Sequence, residues 1–164
     1  MAEGTLVFAI LYQVPPLFLG LVLKVLIPHP AIRAIFVLPG TFVHELLHLV
    51  VGLLLNGKPV SISLWPRKVG HGQWILGSVG FTNVRWYNAV FIAMAPLLAI
   101  VVALLFAPSF RGWAPHGADL QRWLIATPIL AMCLPSTTDL KLTLKSWPIF
   151  IVGLIWTAWH LSGN

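Results

Sequence analysis

Ala31 to Leu55 is an apolar run long enough to cross a bilayer, and His44-Glu45-Leu46-Leu47-His48 lies inside it. In lipid such a run is expected to be a helix, because every backbone N–H and C=O must be paired within the segment. On a helix, residues four apart share a face, so His44 and His48 present two imidazoles one turn apart. That spacing suits two ligands on one zinc ion, with Glu45 between them as general base on a water. A carboxylate at membrane depth costs roughly 2.5–3.5 kcal/mol on insertion scales, and a bound metal would offset that cost.

Of the 164 residues, 59% are hydrophobic and only 9% are charged. Soluble domains carry about 25% charged residues. The composition therefore predicts an all-α integral membrane protein, with residues 1–164 forming one domain. The net charge of +6 fits basic flanks facing the cytoplasm and anionic lipid rather than nucleic-acid binding. Cys133 is the single cysteine, so no internal disulfide can form. No basic region precedes the first apolar run and no small-residue cleavage site follows it, so a removable signal peptide is not expected. The eight Trp residues fall mostly near segment ends, where they suit interfacial anchoring.

The apolar runs predict a bundle of about five transmembrane helices. They are Thr5 to Ile27 (kinked at Pro15-Pro16), Ala31 to Leu55, Tyr87 to Ala107, Arg122 to Leu134 and Leu140 to Leu161. Residues 57–86 differ. Val60 to Leu64 alternates apolar and polar residues, and Trp74 to Val84 is rich in β-branched and aromatic ones. This insert is expected to be a β-hairpin or small sheet packed on the helices or at the interface. Five alternating crossings would put the N-terminus, the hairpin and the 135–145 turn on one side. Lys58, Arg67, Lys68, Arg85, Lys141 and Lys145 would lie there, against Lys24, Arg33, Arg111 and Arg122 opposite. That bias favours the hairpin side as cytoplasmic.

A catalytic zinc needs three protein ligands and an open position. No Glu follows Glu45, and no His stands at the spacing HExxHxxGxxH. The candidates for the third ligand are Asp139, Asp119, His71, His116, His160 and Cys133. Measured from Ala31, the HELLH sequence lies about 22 Å along its helix at 1.5 Å per residue. A helix starting near Gln121 on the same side reaches Asp139 after about 27 Å. Depth therefore favours Asp139, with Cys133 in reserve; Asp119 and His116 fall on the opposite side.

The HExxH helix, the hairpin after it, Ala95-Pro96 and the later Pro135-x-x-x-Asp139 together resemble the site-2 protease family of intramembrane zinc metalloproteases. The resemblance covers roughly residues 31–141. It implies one zinc per chain held by His44, His48 and Asp139, with Glu45 activating water. It also implies hydrolysis of a peptide bond in or near a membrane segment of a protein or peptide substrate. The substrate would add as a strand within Trp74 to Val84. The implied location is a bacterial cytoplasmic membrane, with multiple crossings. The chain departs from the family pattern in several places: Leu140 follows the Asp where Gly is usual, Met132 stands where Asn is usual, the Asn often found in the family's Gly-Pro helix is absent, and the small chain shows no PDZ-like domain. Those departures support an alternative, a catalytically silent adaptor or chaperone that keeps the fold.

Plainer roles stand beside these. His44 and His48 can bridge helices as buried polar residues. Asp139 can serve as the N-cap of the last helix, or Ser136, Thr137 and Thr138 can cap it while Asp139 binds metal. His71 is expected in a loop, and His29, His116 and His160 in turns or at interfaces. Pro15, Pro16, Pro96 and Pro148 are expected only to shape helices.

Overall fold

A computed structural model of the chain describes residues 3–69, 73–105, 107–108 and 117–162. Among them five helices carry the fold. The first, α1, spans Glu3–Leu26, and α2 spans Pro30–Leu54. Two shorter helices follow the hairpin: α3, Ala89–Leu105, and α4, Gly117–Ala131. The last, α5, spans Thr137–Ser162. Within it Leu144–Ser146 tightens to a 3₁₀ turn, as Ala95–Leu97 does within α3. Leu6–Leu26, Pro30–Leu54 and Thr137–Ser162 are long and apolar enough to cross a membrane. At 15 residues, α4 is about 22 Å long against a hydrocarbon core of about 30 Å.

Local chemistry explains most boundaries. Pro30 opens α2, where its missing N–H costs nothing. Asn56 and Lys58 follow the end of α2 with φ of 55° and 52°, and the Gly57 N–H closes back on Gly52 O at 2.6 Å. A Cβ on Gly57 would lie 2.9 Å from that same carbonyl, so this turn needs glycine for space. Pro15 and Pro16 lie inside α1 without ending it, and Pro16 is fully buried.

Residues 59–69 and 73–81 pair as the expected hairpin insert, in two nested antiparallel pairs. The outer pair joins β1, Pro59–Ser63, to β4, Ser78–Phe81, with a bulge between Pro59 and Ser61. The inner pair joins β2, Arg67–Val69, to β3, Gln73–Ile75. Leu76 and Gly77 fall between β3 and β4 and belong to neither ladder. The hairpin docks on α2 through glycines. A Cβ on Gly52 would meet the Phe81 ring at 2.2 Å, and one on Gly77 would meet the Glu45 side chain at 2.6 Å.

Small residues also let the helices approach, as is usual where lipid removes the hydrophobic drive between them. A Cβ on Gly20 of α1 would lie 2.6 Å from Thr127 O, and one on Gly40 of α2 would lie 1.9 Å from Pro128 O. These contacts also set direction. Tyr12 bonds Asp119, Gly20 meets Thr127 and Ala131, and Lys24 bonds Ala131 O. Helices α1 and α4 therefore run parallel, whereas five alternating crossings would set them antiparallel. From Trp147 onward α5 carries no buried residue. Its apolar circumference, including Ile151, Ile155, Trp156 and Trp159, suits lipid.

Candidate metal centre

The two histidines of α2 point to one spot. His44 Nε2 and His48 Nε2 are 3.1 Å apart. Each ring is turned there by its other nitrogen. His44 Nδ1 lies 2.7 Å from Met132 O, and His48 Nδ1 lies 2.7 Å from Ile92 O. A carbonyl can only accept, so both Nδ1 atoms donate and a neutral ring keeps its lone pair on Nε2. Two lone pairs at that distance repel unless a cation, a proton or a metal, sits between them. A backbone carbonyl on the far nitrogen is the usual outer support of a metal-binding histidine.

Proline chemistry supplies both carbonyls. In a regular helix Ile92 O would accept from the residue four ahead, but that residue is Pro96, which has no N–H. The chain tightens there, Ala95 N–H takes one lone pair of Ile92 O, and the other serves His48. Met132 stands just past the end of α4, where carbonyls lack helical partners. Three residues on, Pro135 has no donor, and Ser136 N–H is engaged by Asp139.

Asp139 completes the group. Its Oδ2 lies 3.5 Å from His44 Nε2 and its Oδ1 lies 3.3 Å from His48 Nε2. Ser136 holds the carboxylate through its N–H, 2.7 Å, and its hydroxyl, 2.6 Å, both to Oδ2. In return Asp139 N–H donates to Ser136 Oγ at 3.2 Å, which makes a capping box. The N-cap of α5 is thus Ser136 and not Asp139, which occupies the third helical position and turns its side chain to the histidines. All three residues are buried.

His44, His48 and Asp139 could hold a metal ion. For bonds of 2.0–2.1 Å, neighbouring ligand atoms of a tetrahedral site lie about 3.3 Å apart. The two Nε2 atoms, 3.1 Å apart, come near that edge, and each lies within 3.5 Å of a different oxygen of the Asp139 carboxylate. With three protein ligands, one tetrahedral position is left over. Glu45 lies beside the cluster with 7% of its surface exposed. It makes no hydrogen bond or ion pair among the described residues. Thr41, one turn earlier, is buried, and its hydroxyl has no partner among the described residues. The Leu76-Gly77 break in the hairpin lies over both, because a Cβ on Gly77 would meet Thr41 and Glu45 side-chain atoms within 2.9 Å.

The other candidate ligands stand apart. Asp119 accepts from Tyr12 and Arg122. Cys133 is buried in the core with Ala99 and Leu130. His160 stacks edge-on with Trp156 on the exposed half of α5. His71 and His116 lie outside the described residues. Sequence reasoning placed Ser136 among the residues that could cap the last helix while Asp139 binds metal, and the structure has Ser136 as that cap; it gave no role at the site to Pro96, Gly77 or Thr41. Ser136-x-x-Asp139 before a helix carried a readable capping signal. The carbonyl that Pro96 frees has no sequence signal, because its partner lies on another helix. No protein-family model matches the chain, and no curated protein or solved structure matches it.

Proposed function

We propose that this chain is an intramembrane zinc metallopeptidase that hydrolyses a peptide bond in or near a membrane segment of a protein substrate. The observation that carries the proposal is the grouping of His44 Nε2, His48 Nε2 and the Asp139 carboxylate, with buried Glu45 beside it, free of a hydrogen bond or ion pair among the described residues. A zinc ion held there would supply a Lewis acid for a peptide carbonyl and would acidify water. His44, His48 and Asp139 would hold it, with ring orientation set by Met132 O and Ile92 O. Glu45 takes a proton from water and returns it to the leaving amine. The unladdered backbone at Leu76 and Gly77 receives the substrate as an extended segment beside Glu45.

The alternative is a silent adaptor that keeps the same fold. What weighs against it is Glu45: a buried carboxylate with no partner among the described residues is costly in a scaffold and useful in a base.

The test combines metal analysis with hydrolysis. Wild type purified without chelator should carry one zinc per chain, and His44→Ala and Asp139→Ala should lose it. Glu45→Gln should keep the zinc. It should cut detergent-solubilised casein at least about a hundredfold more slowly than wild type, the usual scale of a general base. Equal cleavage by wild type and Glu45→Gln would sink the mechanism. A zinc-loaded wild type with no cleavage of casein or of membrane-segment peptides would move the weight to the adaptor.

A further inference from the structure

Lys58, Arg85 and Lys145 stand at one end of the bundle, where α2 stops and α3 starts. Lys58 lies just past α2, and its carbonyl accepts from the Thr82 N–H and hydroxyl. The Arg85 N–H donates to Asn88 Oδ1 at 2.7 Å, and Asn88 Nδ2 donates to Leu55 O at 3.2 Å. The Val90 N–H donates to Ser146 Oγ at 2.9 Å, which brings the middle of α5 to the same place. Next to these cations in the chain come Trp86, Tyr87 and Trp147, exposed by 54%, 44% and 62%. The three cations are exposed as well.

The rim has a built frame. Asn88 is fully buried, and its side chain ties Arg85 N, Leu55 O and Asn83 O together. Arg85 Nε donates to Asn83 Oδ1 at 2.9 Å, which sets the plane of the guanidinium. Its two terminal nitrogens make no hydrogen bond or ion pair among the described residues. Such a fork suits two oxygens of one phosphate. Nothing acidic opposes the rim among the described residues. Of the chain's four acidic residues, Glu3 begins α1, and Glu45, Asp119 and Asp139 are buried. Backbone conformation then sets the level of the rim. Residues 82–88 are irregular between β4 and α3. Exposed irregular backbone does not face lipid tails, where its polar groups would go unpaired. Exposed Trp and Tyr prefer the headgroup layer.

We propose that this rim binds the headgroups of anionic phospholipids, with the Arg85 fork on a phosphate and Lys58 and Lys145 as flanking charges. Net charge alone would spread that attraction over every basic segment; the structure gathers it where three cations, three exposed aromatics and exposed irregular backbone coincide. Charge selects an anionic headgroup over a zwitterionic one. The aromatics select a lipid over an acidic protein, because their half-apolar rings gain from the headgroup layer. The proposal is independent of metal binding and of hydrolysis.

The full chain in phosphatidylcholine nanodiscs would be photolabelled with trace phosphatidylglycerol bearing a diazirine close to its glycerol backbone. Phosphatidylcholine with the same diazirine is the control. The expected result is that phosphatidylglycerol labels peptides holding Lys58, residues 83–90 and residues 144–150 at least about fivefold more than phosphatidylcholine does. That factor is the attraction of one cation to an anionic surface. High salt should reduce the preference, since exposed charges are screened. The Lys58→Gln/Arg85→Gln/Lys145→Gln variant changes only exposed side chains and should label equally with both lipids. Arg85→Gln alone should remove the largest share, and that comparison stands should the triple variant not fold. Equal labelling by the two lipids in wild type, or an unchanged preference in the variants, would overturn the proposal. So would a preference centred on the peptide holding Arg67 and Lys68, which would move the lipid surface to the inner pair of the hairpin.

Discussion

Replacing Ser136 with alanine removes a hydroxyl that touches the candidate metal group only through Asp139. That hydroxyl donates to Asp139 Oδ2 at 2.6 Å and accepts from Asp139 N at 3.2 Å. A hydrogen bond to a charged group is worth about 1.5–3 kcal/mol. Ser136 is itself exposed, which argues for the lower part of that range, about 1.5–2 kcal/mol. The Ser136 N–H stays on the carboxylate at 2.7 Å, so Asp139 is loosened and not released. The zinc Kd should therefore rise roughly 10- to 30-fold, within the range seen when outer-shell partners of ligands are removed. The same change deletes an N-cap, worth about 1 kcal/mol of stability. Competition against a chromophoric zinc chelator measures the first effect, and thermal unfolding of metal-free protein measures the second. Ser136→Thr keeps the hydroxyl and should restore both. A lower melting temperature with an unchanged zinc Kd would make Ser136 a cap alone, and would refute the claim that it supports the metal carboxylate.

Three further outcomes follow from the geometry. Pro96→Ala restores an N–H aimed at Ile92 O, the carbonyl that orients His48, so zinc should bind about tenfold more weakly in the same chelator competition while the helix itself gains regularity. Gly77→Ala puts a Cβ 2.6 Å from Glu45 Cγ and 2.9 Å from Oε1; zinc content by elemental analysis should hold at one per chain while peptide hydrolysis drops at least about tenfold, as misplaced catalytic groups do. Chelation should lower the thermal stability of wild type, by about 2.7 kcal/mol relative to protein at zinc a hundredfold above its Kd, and should leave the His44→Ala/His48→Ala double variant unmoved; equal chelator sensitivity in both would separate stability from this site.

How far the sequence could be read follows from where each signal lies. The HELLH helix was legible because its information is local, namely apolar length, a Pro at the first helical position and a four-residue spacing. The hairpin was legible from alternation and β-branched composition, though not its division into two nested pairs, which depends on the break at Leu76 and Gly77. Helix α4 begins at Gly117, five residues before the expected Arg122, because Asp119 in its first turn is satisfied by Tyr12 from α1. No window around residue 119 contains that partner. Helix α5 begins at Thr137, not Leu140, because Ser136 and Asp139 cap it reciprocally. The parallel run of α1 and α4 was illegible for a related reason: it is set by Gly20 against Thr127, a contact 107 positions apart in the chain. The helical rise that pointed to Asp139 assumed one helix from Gln121 through Asp139; α4 ends at Ala131 and Asp139 stands in the first turn of α5, so Asp139 joins the histidines by a turn between helices that depth counting did not contain.

The charge and ligand set of the site together narrow what it can hold. Both imidazoles donate from Nδ1 to backbone carbonyls, so as neutral rings they contribute no charge. Asp139 and Glu45 are buried at 8% and 7% exposure, and ionised they leave two negative charges in an apolar bundle. A monovalent cation would cancel only one of them, and burying the remainder would still be costly. A divalent cation cancels both. Two histidines and one carboxylate serve tetrahedral zinc and also one face of octahedral iron(II) sites. The two histidines approach different oxygens of Asp139, His44 Nε2 at 3.5 Å from Oδ2 and His48 Nε2 at 3.3 Å from Oδ1, so these distances do not measure one coordination polyhedron. Charge thus argues for a divalent ion, and the ligand set is one that zinc and iron(II) share.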